Sequence, residues 1–150
     1  MTASRIATQM LAVLTLAALI VAGIAASNAQ NTPAGAQRNK VVIQVSDADP
    51  GKWNLALNNA RNLQSDLGAG NVDVEIVAYG PGIGMLRRDS PVANRVGEAS
   101  AAGVKVVACE ITMKGQKLSR GDMLDSVAYV PAGVVELMSR QQQGWAYIKP

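Results

Sequence analysis

From Lys40 onward the chain switches repeatedly between two hydrophobic periods. Lys40 to Ser46 (KVVIQVS) is a short β-branched run that reads as a strand. Trp53, Ala56, Leu57, Ala60, Leu63 and Leu67 then recur at helical spacing between Asp49-Pro50 and Gly68, which are start and stop signals. Val72 to Tyr79 alternates as a second strand, Gly80-Pro81-Gly82 breaks it, and a short helical piece follows around Ile83 to Arg88. Pro91 to Ala102 predicts a helix closed by Gly103, and Val104 to Cys109 (VKVVAC) a third strand. A helical turn or two runs to about Lys117, and Ser119 and Asp122 have the spacing of an acidic capping box. Val127 to Val130 reads as a fourth strand, Pro131 to Gln143 as a helix with Pro at its first position, and Trp145 to Lys149 as a last strand.

Strand and helix alternating five times predict βαβ units. The expected fold class is α/β, a three-layer α/β/α domain with a five-stranded, mainly parallel sheet. In such sheets ligands bind beyond the carboxyl ends of the strands. Four stretches fall at that edge: Ser46 to Gly51, Tyr79 to Gly84, Cys109 to Lys114 and Val130 to Val134.

Upstream of Lys40 the pattern is different. Arg5 is the one charge before an apolar run from Met10 to Ala26, and Ser27-Asn28-Ala29 has the small residues of a signal-peptidase site. Residues 1–29 therefore read as a signal peptide cut after Ala29, residues 30–39 as a flexible lead-in, and residues 40–150 as one domain. A retained membrane anchor is the alternative. No Cys stands directly after the run, which excludes a lipoprotein. The expected location is periplasmic or secreted, with no membrane attachment after cleavage.

Composition then narrows the chemistry. The chain has no His, which removes Ser–His–Asp triads, Cys–His dyads and His-ligated metals together. Fourteen basic against 11 acidic residues give a net charge of +3, small and dispersed, so nucleic acid is not an expected partner. No cofactor and no metal are expected. There is no Phe, so Val, Ile, Leu, Ala and Met must build the core.

Cys109 is the sole cysteine, and an unpaired thiol in an exported chain is reactive, intermolecular or simply buried. A place at a strand end opening into a helix would favour its thiolate. Lys114, Lys117 and Arg120 lie just beyond, with Glu110 opposing them. Tyr79-Gly80-Pro81-Gly82 reads either as a tight turn or as a pocket wall with inward N–H groups, and Gly133 as ordinary helix initiation or as an accessible amide. Asp47 and Asp49 read as loop and capping residues. Trp145 and Tyr147, on one face of the last strand, read as packing or subunit-contact residues.

Taken together, Tyr79-Gly80-Pro81-Gly82, Val107-Ala108-Cys109 with Thr112-Met113, Val130 to Leu137 and Gln143 to Pro150 resemble the DsrE/DsrF-like (YchN-like) family over residues 40–150. The resemblance implies a five-stranded three-layer fold assembled as a homo-oligomer, a trimer or hexamer. It also implies a sulfur carrier in which Cys109 takes up sulfur as a persulfide and passes it to an acceptor protein. Cys109 is then the catalytic residue, and Tyr79, Gly80, Pro81, Gly82, Thr112 and Gly133 the ligand-binding set, with amides near Gly80, Gly82 and Gly133 holding an anionic sulfur chain. The chain departs from many relatives at Tyr79, where they have His, and at Ile111, where they have a polar residue. It also carries an export signal, whereas the best-known carriers are cytoplasmic. The alternative function is a non-catalytic oligomer that binds a small ligand or protein, with Cys109 buried. If there is an enzyme activity, it is at most sulfurtransferase-like.

Overall fold

The computed structural model describes residues 38–150. The predicted signal peptide and residues 30–37 of the lead-in lie outside the described residues. Among the described residues there are five strands: β1 (Asn39–Val45), β2 (Val72–Ala78), β3 (Lys105–Cys109), β4 (Ala128–Val130) and β5 (Ala146–Ile148). They form one sheet in the order β4-β3-β2-β1-β5, and every pair is parallel. The helices are α1 (Pro50–Leu67), α2 (Ala93–Ala101), α3 (Glu110–Gly115) and α4 (Gly133–Gln142), with 3-10 segments at Ala69–Asn71, Gly80–Leu86 and Arg120–Asp122.

The strand order explains how the layers are divided. From β1 to β4 the chain steps in one direction, and right-handed crossovers put the intervening helices on one face. The step from β4 to β5 runs back across the sheet, so the same rule places α4 on the other face. The cores follow this division. Val41, Ile43, Val45, Val74, Ile76, Val106 and Ala108 face inward with Trp53, Ala56, Leu57 and Ala60 of α1 and Val96 of α2. On the opposite face a smaller apolar cluster of Val42, Val77, Val107 and Val130 is buried with Leu137 of α4, flanked by Tyr79 and Trp145.

Local chemistry sets most boundaries. The Asp49 carboxylate accepts the Gly51 N–H at 2.7 Å, and Pro50 follows as the first residue of α1. The Ser119–Asp122 capping box forms in both directions. Two α-helix starts differ from expectation. Pro91 lies in a turn rather than in a helix, because Ser90 accepts the Val92 and Ala93 N–H groups, and α2 starts at Ala93. Pro131 precedes the cap of α4 instead of opening it, since Ala132 is the cap residue. The Pro131 carbonyl accepts the Ile111 N–H at 3.2 Å, a contact with a distant segment that fixes it outside the helix. At the amino end, Arg38 pairs with Asp73 at 3.1 Å and β1 starts at Asn39, so the fold reaches slightly into the predicted lead-in.

Candidate functional site around Cys109

β3 ends at Cys109, and strand alternation turns its side chain toward the α4 face with Val107 and Lys105. The residue is 5% exposed. The chain then turns directly into α3, while the β4–α4 junction passes above it. Gly133, the first residue of α4, fits between two neighbours: a Cβ there would lie 2.9 Å from Tyr79 Cβ and 3.3 Å from Cys109 Cβ. No other residue brings the α4 backbone this close to the sulfur without a clash.

Burial pushes the Cys109 thiol up, but hydrogen bonds from the Thr112 hydroxyl and from the Gly133, Thr112 and Ile111 amides outweigh it. The thiol therefore lies below its ordinary value of 9.0. With only six residues, α3 acts through these local N–H groups rather than through a long helix dipole. The basic side chains are not the cause. Arg120 is engaged by Glu110 at 2.8 Å and stacks over the Tyr129 ring at 4.2 Å.

The residues predicted as a ligand-binding set divide three ways. Thr112 and Gly133 touch the sulfur region directly. Gly80 acts through Thr112, because its N–H donates to Thr112 Oγ1 at 2.9 Å while the same hydroxyl serves the sulfur. The Gly82 N–H donates to the Tyr79 carbonyl at 3.1 Å, and a Cβ on Gly82 would lie 2.3 Å from the Val45 carbonyl oxygen. The expectation that Gly80 and Gly82 offer free amides to an anion is therefore corrected. Both are spent inside a turn packed on the end of β1. Pro81 is exposed at the rim.

Tyr79 borders a second feature, an open groove of about 540 Å³ between α4 and the β1–β5 edge, lined also by Gln44, Met138 and Tyr147. The Tyr147 hydroxyl donates to Gln44 Oε1, and burial followed by the neighbouring Tyr79 raises the Tyr147 phenol above 10.0. Val134 and Met138 of its lining are exposed, as are Ile111 and Val135 elsewhere on α3 and α4.

Sequence reasoning passed over Glu75. It is a fully buried carboxylate on β2, within ion-pair distance of Lys105 (3.2 Å) and Arg140 (2.6 Å). A central-strand acid whose register partner on β3 is Lys105 was the available signal.

The profile of the DsrE/DsrF-like family matches residues 39–150. The chain belongs to the DsrE/DsrF-like family. Among solved structures, it is 38% identical to MTH1491 from Methanobacterium thermoautotrophicum, described as a protein of unknown function. That match covers 75% of this chain and 99% of that one at a TM-score of 0.71. The YchN protein from E. coli is 21% identical, covering 75% of this chain and 99% of that chain at a TM-score of 0.62. BT1422 from Bacteroides thetaiotaomicron, a conserved protein of unknown function, is 13% identical over 78% of this chain and 99% of that one, also at 0.62. The last two speak to the fold alone. No curated protein matches the chain. The DsrE-like family is associated with sulfur relay.

Proposed function

We propose that this DsrE/DsrF-like protein is an exported sulfur carrier that loads sulfane sulfur on Cys109. The observation that carries the reading is the thiol lowered by the Thr112 hydroxyl and three backbone amides despite its burial. The Cys109 thiolate attacks the terminal sulfur of a polysulfide. One S–S bond forms, one breaks, and the donor leaves one sulfur shorter with the electron pair. An acceptor thiolate then attacks the outer sulfur of the persulfide, and Cys109 departs as thiolate. A lowered pKa suits both the thiolate population and the leaving step. The exchange needs neither an imidazole nor an added oxidant, in keeping with a chain without His.

The apolar run before Ser27-Asn28-Ala29, read as an export signal, supports a place for this chemistry in the periplasm or at the cell exterior. We also propose a homo-oligomer, a trimer or hexamer, supported by the exposed apolar residues Ile111, Val134, Val135 and Met138.

Intact mass before and after polysulfide treatment tests the carrier. Sulfur increments that reductant removes, and that Cys109→Ser abolishes, are expected; increments persisting in Cys109→Ser overturn it. The burial of Cys109 favours one other reading, a non-catalytic ligand- or protein-binding oligomer. That reading requires native Cys109 to react slowly with a thiol reagent and rapidly only after unfolding.

A further inference from the structure

Among the described residues α4 is the single helix on its face of the sheet, and it is held at both ends to β2 and the residue that follows it. Its first residue, Gly133, packs on Tyr79 and offers its amide to Cys109. Seven residues on, Arg140 reaches Glu75 with Nε at 2.6 Å and Glu136 of its own helix with Nη2 at 2.9 Å. Seven helical residues span about 10.5 Å, and the four residues from Glu75 to Tyr79 span about 13 Å of strand. The two contacts therefore define the seating of α4 along β2.

Around Glu75 the charged groups are Lys105 of β3 and Arg140 and Glu136 of α4, and its register neighbour on β1 is Val42. The contacts are close but off-axis: neither Glu75 oxygen completes a well-directed hydrogen bond. A buried carboxylate held this way is a weak source of stability, and register is the best-attested use of such groups. The Arg140 guanidinium is also fixed from its other side, with its carbon 4.7 Å from the centre of the Trp145 ring.

We propose that Glu75 is a positioning residue for the Cys109 site: through Arg140 it sets where α4 sits, and so keeps the Gly133 amide on the sulfur. This rests on the reading of Cys109 as a functional thiol. Glu75 touches no reacting atom. It works two helical turns away, through the backbone of α4.

The test is the pH dependence of Cys109 alkylation by iodoacetamide in the full folded domain. Glu75→Gln and Arg140→Met are expected to move the midpoint upward, toward a free thiol, and to slow alkylation at pH 7 roughly threefold, as expected when one charge-assisted hydrogen bond to the thiolate is weakened. Arg140→Lys, which keeps the charge but bridges only one carboxylate, should restore part of the shift. Val96→Ala, in the opposite core, should lower stability and leave the midpoint in place. A midpoint unmoved in both Glu75→Gln and Arg140→Met overturns the proposal. If Glu75→Gln does not fold, Arg140→Met, at a partly exposed site, decides alone. Intact-mass loading of the parent protein is scored separately. A parent that takes no sulfur, with midpoints that still shift, removes the carrier reading and keeps the positioning role. A parent that loads sulfur, with fixed midpoints, does the reverse.

Discussion

Thr112 Oγ1 accepts the Gly80 N–H at 2.9 Å and turns its own proton toward the sulfur of Cys109. A hydroxyl that accepts from an amide becomes a better donor, so the turn after β2 and the start of α3 act on the thiol as one chain of bonds. Thr112→Val removes the hydroxyl at nearly constant volume. It should raise the Cys109 pKa and leave the Gly80 N–H unpaired, at about 1–3 kcal/mol of stability. Thr112→Ser should preserve both. Thiol alkylation against pH and urea unfolding check the two effects separately.

Gly133→Ala places a methyl group 2.9 Å from Tyr79 Cβ and 3.3 Å from Cys109 Cβ. Its backbone is not in the left-handed region, so the penalty is steric. The start of α4 must lift, at about 1–3 kcal/mol, and the amide must retreat from the sulfur. Lower urea resistance together with a higher thiol midpoint is the expected pair of results. A stability loss without the midpoint change would separate packing from the thiol.

Gly82→Ala should be more damaging than Gly133→Ala. The added Cβ would meet the Val45 carbonyl oxygen at 2.3 Å, and backbone cannot swing aside as a side chain does. A loss of about 3 kcal/mol or more is expected, read as a lower melting temperature or as insoluble expression. Normal solubility and melting would show that the turn has room to move away from β1.

Stability should depend on pH through Glu75. Burial raises its pKa above 4.5, against the pull of Lys105 and Arg140. The fold thus favours the protonated acid over the ionised one. Its contribution is fully present below the unfolded value of 4.5 and is lost as pH rises through the raised value. Denaturant unfolding of the parent and of Glu75→Gln at pH 4 and pH 7 should show the parent losing ground to the variant at the higher pH. Parallel behaviour would mean that Glu75 titrates alike in both states.

Much of the fold could be read from local chemistry. Asp49-Pro50 opens α1, Ser119 and Asp122 form their box, β1, β2 and β3 fall where β-branched runs stand, and β4 and β5 fall within the two later stretches read as strands. Boundaries failed where a distant segment intervened, as when Ile111 takes the Pro131 carbonyl and keeps that proline outside α4. Cys109 and Thr112 were legible because they adjoin in sequence at a strand-to-helix turn. The spent amides of Gly80 and Gly82 were not, because their acceptors are Thr112, far along the chain, and the Tyr79 carbonyl. Glu75 was hidden most completely. In Val72 to Ala78 it occupies an alternating position that suits a solvated face, and only the return of α4 across the sheet buries it.

The backward step from β4 to β5 also bears on when the thiol acquires its character. During synthesis Cys109, Thr112 and the turn at Gly80 leave the ribosome before Gly133, Glu136 and Arg140 do. Until α4 has emerged and docked, the sulfur lacks the Gly133 amide and stays closer to an ordinary cysteine. The nascent chain therefore carries a comparatively quiet thiol, and the sulfur reaches its lowered value only after α4 has followed it out and docked.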